Sequence, residues 1–431
     1  MKQYIKAAFT GALTSGLLLV CACADNPVAP STDRVVAGSQ QTLQSLATGV
    51  IAKDRLASVG GTYGLYGPIM SRDAIVPTAN EPRFLTEFYE KQPDPSDFIG
   101  GSNWTNYYST IRAAKSLIAD PSVTQLSAGN QAAARGLLRT LMGLEYLRVI
   151  EYRDQNGAVI QGDDPTKVDP IRTKQAALTY ASALLDSAFT DLSAASAAGT
   201  AVVPFAVPAG YQLHGDYSQV SNLILLNRGL KGKAEVFRAL DPVAPNPSSA
   251  QTAITALGVA LAGAPSPATQ EYLNTGPWYQ FNPSAPESFL NPLPGSNNLL
   301  TDNFVNSIMP NDARKANIVG IGRQTVRDSA YTGSNRLLLT DPNNAANLGA
   351  PLPDVRNAEF FLLRAQAEIA TGDLVDATTD VNAVHTAEGG MSPYPTFASS
   401  AAAIAAVLYE YRYSFVYSGP QHIDALREYG A

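Results

Sequence analysis

Cys23 is the one side chain whose neighbours prescribe a covalent change. Val20 stands three residues before it and Ala22 immediately before it, the pattern of a bacterial lipobox, in which the cysteine thiol takes a diacylglyceryl group. Upstream, Lys2 and Lys6 form a short positive head, and the run from Ala7 to Val20 is uncharged and mostly apolar. This is the layout of a secretory leader, and it falls short of the roughly 20 apolar residues that span a bilayer. The spacing predicts a leader over residues 1–22, removed before Cys23. Each acyl chain would then contribute about 0.8 kcal/mol per buried CH₂, and more than one chain makes anchoring stable. The second of the two cysteines, Cys21, leaves with the leader. The mature chain would thus hold no free thiol, which excludes disulfides, thiolate metal sites and a cysteine nucleophile together.

Other chemistry finds little material. The three histidines, His214, His385 and His422, form no HExxH pair and have no second histidine at helical spacing, so a histidine-based metal site is not expected. No GxSxG elbow supports a Ser-His-Asp triad. The stretch Gly229-Leu230-Lys231-Gly232-Lys233-Ala234 has the wrong glycine spacing for a phosphate loop and places Ala234 where a magnesium-binding hydroxyl belongs, so it reads as a small-residue helix face. Asp154-Gln155-Asn156-Gly157 opens like a calcium loop, but a ligand pair is missing and no glutamate follows at the right distance, so it reads as a solvated turn. Glu81, Glu87, Asp163 and Asp164 are the carboxylates an anchored hydrolase could draw on, though their spacing assembles nothing. No cofactor is expected. The chain carries 30 basic and 37 acidic side chains, and losing Lys2 and Lys6 would move its net charge from −7 to −9. A mildly acidic chain without a basic block argues against nucleic acid as a partner and against electrostatic adhesion to anionic lipid.

Helical periodicity dominates the elements that would position any site. A polar, proline-broken tether is expected over 23–39. Trp104, Tyr107, Tyr108, Ile111, Ala114 and Ile118 then make an amphipathic stripe. Further stripes run from Ser127 to Tyr152 (through Leu137, Leu141, Leu144 and Arg148), from Lys174 to Leu192, from Val220 to Leu240, from Val355 to Ile369 with a stop at Gly372, and from Ala398 to Tyr417. Between them, residues 242–353 turn rich in proline, asparagine and glycine, and Pro265, Pro267, Pro277, Pro283, Pro286, Pro292 and Pro294 forbid long helices there. Short strands are expected near Ser334–Thr340. The expected architecture is mainly α: a degenerate tetratricopeptide-like stack of helical hairpins, with an N-terminal helical part over 40–241, an irregular insert over 242–353 and C-terminal helices over 354–431.

Two C-terminal blocks resemble the SusD/RagB family of surface lipoproteins. In the first, Arg356, Ala358, Glu359, Leu362, Ala365 and Ala367, then Gly372 and Asn382, follow the family's helix-pair signature. Gln366 stands where glutamate is usual and His385 where arginine is usual. In the second, Glu410, Arg412, Gly419, Asp424 and Arg427 match, while Ser414 and Ser418 replace glutamates, which would thin the family's ion-pair network. Looser similarity runs through most of the chain beyond the leader. The resemblance implies a SusD-like fold, an outer-membrane location at the cell surface, a SusC-like TonB-dependent transporter as partner, and glycans or sometimes peptides as ligands. It implies a binding protein and no enzyme.

Under that resemblance the ligand contacts are sought among aromatics in loops, since a flat ring stacks on a sugar face while neighbouring amides bond its hydroxyls. Trp278, Tyr279 and Phe281, beside Gln280 and Asn282, are the first group. Tyr63 and Tyr66 are the second. Trp104, Tyr107 and Tyr108 lie on a regular stripe and are expected in the core. Asp424 and Arg427 are expected to pair structurally. The competing functions are an envelope scaffold with a protein-binding groove and, less favoured, the anchored hydrolase.

Overall fold

The computed structural model describes residues 39–58, 63–77, 81–90, 102–162, 167–282, 289–295, 297–326 and 331–430. The expected leader, Cys23, Asp163 and Asp164 lie outside them. The long helices are α1 (Gln40–Ser58), α2 (Tyr63–Met70), α3 (Ser102–Ile118), α4 (Ala128–Arg153), α5 (Lys174–Ala197), α6 (Val220–Ala239), α7 (Ser248–Ala260), α8 (Asn357–Thr371), α9 (Leu374–Ala387), α10 (Ser400–Ser414) and α11 (Gln421–Tyr429). No helix among the described residues is long and apolar enough to cross a membrane.

Each stripe read from the sequence becomes a helix, and several have chemically marked ends. Ser127, Thr173 and Ser399 cap α4, α5 and α10 with side-chain oxygens that accept backbone N–H bonds. Gly372 ends α8 at φ 85°, the left-handed conformation glycine adopts without strain. Helices adjacent in sequence then pack in turn, α3 on α4, α4 on α5, α5 on α6, α6 on α7 and α8 on α9, while α7 and α6 also meet α8 and so join the C-terminal helices to the earlier ones. Glycines set the closest approaches. A Cβ on Gly136 or Gly143 of α4 would lie 2.5 or 2.7 Å from Leu192 or Leu185 of α5. The small-residue face on α6 works the same way: Gly229 receives the Phe360 ring and Gly232 receives Leu257.

The region after α6 contains more regular structure than its prolines suggest. Helix α7 fits between Pro247, which precedes its first turn, and Pro265, where Ser248–Ala260 contains no proline. Beyond it, a four-stranded antiparallel sheet has the order Ala74–Ile75, Leu299–Leu300, Tyr331–Leu337, Ile318–Val326. Sequence reading places strand at Ser334–Thr340. The strand is Tyr331–Leu337, and Leu338–Thr340 turn into a 3₁₀ segment. A second pairing, Trp278–Tyr279 with Leu352–Pro353, ties this region to the entry of α8. Helix α1 has no counterpart among the stripes read above, because its polar residues leave a weak apolar face: Leu43, Ala47, Val50, Ile51 and Ala57 are its buried apolar positions, and Asp54 is buried among them.

Candidate functional site

The two-residue strand Trp278–Tyr279 sends its side chains to opposite faces, as pleating requires. Trp278 stays half-exposed. Its indole Nε1 donates to the Asn274 carbonyl at 2.9 Å and its ring lies 4.6 Å from that of His214. Together with Gln280, Ile51, Arg55 and Gly210 it lines a hollow of about 170 Å³ between α1 and the insert. Gly210 is required there, since a Cβ would fall 2.1 Å from the Trp278 carbonyl oxygen.

Beneath the hollow Tyr279 points inward, where its hydroxyl donates to Asp54 Oδ2. Tyr211, next to Gly210, donates to the same oxygen at 3.2 Å. Arg148 of α4 completes the arrangement: Nη1 donates to Asp54 Oδ1 at 2.8 Å and Glu145 Oε1 at 3.1 Å, and Nη2 donates to Asp354. The same three segments, α1 at 51–55, the turn at 209–211 and the strand at 278–280, thus form the hollow's wall and grip one buried carboxylate. Burial pushes Asp354 up to about 7, with the Asp54 charge adding to the rise and Arg148 opposing it. Glu145 is raised for the same reasons, burial foremost.

The other aromatic candidates lie deeper. Phe281 is buried and stacked on Phe289, ring centroids 5.9 Å apart, with the Arg55 guanidinium 4.6 Å above Phe289. Tyr66 is 0 % exposed and meets Tyr152 edge-on at 5.0 Å, so its ring offers no face to a ligand in this conformation. Tyr63 opens α2, and its side chain lies outside the described residues. Of the five residues named from the sequence, the hollow brings Trp278 and Tyr279 together, only Trp278 with its ring partly in solvent. Tyr107 and Tyr108 are buried and Trp104 is partly so, packed on Tyr108.

The remaining chemistry-bearing residues are engaged structurally. His385 Nδ1 lies 2.6 Å from Glu410 Oε1 and His422 Nδ1 lies 2.5 Å from Asp73 Oδ2, so the three histidines are apart from one another in role. Glu81 is paired with Arg83 at 2.6 Å, and that guanidinium holds its carboxyl below the usual range. Among the described residues no group of three or more His, Cys, Asp or Glu is placed to hold a metal ion. Asp154 pairs with Lys174 at 2.7 Å. Lys233 is buried between Glu151 and Glu359, which keep it protonated against the pull of burial. Asp424 and Arg427 pair at 3.1 Å. Of the four replacements in the two C-terminal blocks, Gln366 donates to Glu428 at 3.0 Å and accepts from Tyr411 at 2.9 Å, while Ser414 accepts from Arg314 at 2.6 Å.

Sequence reasoning missed Asp54, Tyr211 and Asp354. One signal pointed to them: Arg148 sits in the apolar stripe of α4, and an arginine at a core position must bring carboxylates with it.

No family model matches the chain, and no curated protein does. Solved structures do match in fold. A SusD superfamily protein from Bacteroides fragilis NCTC 9343 superposes with a TM-score of 0.63 at 14% identity, covering 90% of this chain and 87% of its own. One from Bacteroides thetaiotaomicron VPI-5482 gives 0.63 at 18% identity, with 92% and 91% covered. A SusD-like carbohydrate binding protein from Bacteroides vulgatus ATCC 8482 gives 0.59 at 14% identity, with 89% and 82% covered. The chain has the SusD-like fold, a helical-hairpin stack with an added sheet and loops.

Proposed function

We propose that this chain is a carbohydrate-capturing lipoprotein of the outer membrane, held by acyl chains on Cys23 and passing its ligand to a SusC-like TonB-dependent transporter. The observation that carries the reading is the SusD-like fold over nine-tenths of the chain, shared with a protein described as carbohydrate binding. The leader and lipobox at residues 1–23 support the anchor, and the anchored body would sit at the cell surface. The hollow supports the ligand class. Trp278 supplies a ring, Gln280 a carboxamide and Arg55 a guanidinium within one concavity, the mix of flat apolar surface and directional donors that sugars need. In this reading Trp278 is the main contact, Tyr279 shapes the floor, Phe281 and Tyr66 serve only if a loop rearrangement uncovers them, and Tyr63 is a further candidate contact. The chain acts as a binder and performs no turnover.

The test is calorimetric titration of the protein with a panel of plant, host and bacterial oligosaccharides, together with Trp278→Ala and Trp278→Phe. One glycan should bind, with affinity about tenfold weaker in Trp278→Ala, largely kept in Trp278→Phe, and the melting temperature nearly unchanged. Absence of binding across the panel, or recovery of a barrel partner by a protein that binds no glycan, would replace this reading with the scaffold.

A further inference from the structure

A larger concavity lies elsewhere, where Ile318 and Leu337 of two paired strands meet Arg356 at the start of α8 and Tyr413 and Ser414 at the end of α10. Its volume is about 570 Å³, inside the range of about 300–1,000 Å³ typical of small-molecule sites. No residue lines both it and the Trp278 hollow. Asn274 stands between them: its carbonyl accepts from the Trp278 indole, and its Oδ1 accepts from Arg356 Nη1 at 3.4 Å.

Its lining mixes two kinds of group. Leu337, Leu338 and Leu339 with Ile308, Phe304 and Tyr413 are aliphatic and aromatic, and the Arg314 guanidinium lies 5.9 Å from the Tyr413 ring. Leu338 is 47% exposed, an apolar group left in water. The charged groups are already neutralised. Arg314 donates to Asp312 at 2.6 Å, to Glu410 at 2.7 Å and to the Ser414 hydroxyl. Arg356 pairs with Glu388 and donates to the Ser414 carbonyl. An anionic ligand would have to displace a carboxylate from one of these guanidinium groups, and a cation would face both of them. Either exchange gives up a buried, hydrogen-bonded pair. Gln270 and Asn317 in the lining are exposed, and among the described residues their carboxamides bond no other side chain or backbone group, each offering a donor and an acceptor side by side.

We infer that this concavity is a second carbohydrate subsite, selective for an uncharged sugar ring whose apolar face rests on Leu338 and Leu339 and whose hydroxyls meet Gln270 and Asn317. The inference rests on the carbohydrate reading above but uses different residues, so each can fail without the other.

The probes are the neutral methyl glycosides of glucose, galactose and mannose, with glucuronate as the anionic control, observed by saturation-transfer NMR and titrated by chemical-shift changes. The proteins are the wild type, Trp278→Ala, the double variant Gln270→Ala/Asn317→Ala, and Leu338→Asp. A neutral glycoside should still bind Trp278→Ala. Its affinity should fall at least fivefold in the double variant and in Leu338→Asp, and glucuronate should bind at least tenfold more weakly. Leu338→Asp alters an exposed side chain and serves as the control should the double variant unfold. If Trp278→Ala abolishes glycoside binding while the double variant and Leu338→Asp leave it intact, the second subsite is overturned and the proposed function stands. If neither these glycosides nor the oligosaccharide panel binds the wild type, both fall. Equal binding of glucuronate and the neutral rings would overturn the selectivity.

Discussion

Two arginine clusters stand behind the two concavities, and they differ in how many carboxylates one guanidinium serves. Under the Trp278 hollow a single fully buried cation, Arg148, faces three buried carboxylates, Asp54, Glu145 and Asp354. Beside the larger concavity Arg314 faces only Asp312 and Glu410, and Glu410 has His385 as a further partner while Asp312 has the Tyr409 hydroxyl. In the first cluster burial, with the neighbouring carboxylate charges adding to it, raises Asp354 and Glu145. In the second, burial pushes Asp312 up but the hydrogen bonds and charge of Arg314 outweigh it, and the carboxyl ends below its usual value. Asp354 therefore holds its proton up to about pH 7, whereas Asp312 keeps its charge throughout that range.

The largest expected effect tests that contrast directly. Arg148→Met leaves three carboxylates buried without a cation, and removing one side of such a pair costs about 3–5 kcal/mol. Arg314→Met leaves each of its two carboxylates with another partner and should cost visibly less, about 1–3 kcal/mol. Urea unfolding of the two variants at pH 7 decides it. If Arg314→Met is the more damaging, charge surplus is not what distinguishes the clusters.

The next effect is the pH response. Asp354 is raised to about 7 in the folded chain, against about 3.9 for an ordinary aspartate. Between these values the folded state binds the extra proton, so stability is fullest at the acid end and declines as pH rises toward 7, on the order of 1 kcal/mol per pH unit at most. Asp312 has the opposite sign. Its contribution is present above about pH 4 and is lost as pH falls through its lowered value. Asp354→Asn should therefore flatten the decline between pH 4 and 7 and raise the urea midpoint at pH 8 relative to wild type. An unchanged slope in that variant would show that Asp354 does not carry the proton.

The same contrast explains what could be read without coordinates. The stripes from Trp104 through Tyr417 became helices because a buried face at 3.6-residue spacing leaves its period in the chain, and the caps at Ser127, Thr173 and Gly372 mark the ends. Trp278 was legible as an aromatic among prolines and amides. The meeting that makes its floor was not: Asp54, Arg148, Tyr211, Tyr279 and Asp354 come from five separate segments, Asp54 and Tyr279 being 225 positions apart. No local pattern encodes such a meeting. The lone arginine in an apolar stripe announces that partners exist but does not say which. The larger concavity was invisible for a related reason, since its lining joins two paired strands to helix ends that are distant in sequence.

The smallest effect separates the clusters at the level of single hydroxyls. Tyr279 donates to an aspartate already crowded by two other carboxylates, so losing that donor in Tyr279→Phe removes a charge-assisted bond where no water can replace it, at about 1.5–3 kcal/mol. Tyr409 is partly exposed, and its bond to Asp312 at 2.8 Å adds to a carboxylate that Arg314 already holds through two nitrogens. Tyr409→Phe should cost about 0.5–1 kcal/mol. Because Tyr279 also carries the hollow's floor, its variant should in addition weaken the glycan that Trp278 contacts, while Tyr409→Phe should leave that affinity unchanged. Stability and affinity measured on the same two proteins would show whether the anionic cluster serves the hollow or merely lies beneath it: a Tyr279→Phe protein that loses stability but binds as well as wild type would separate the two.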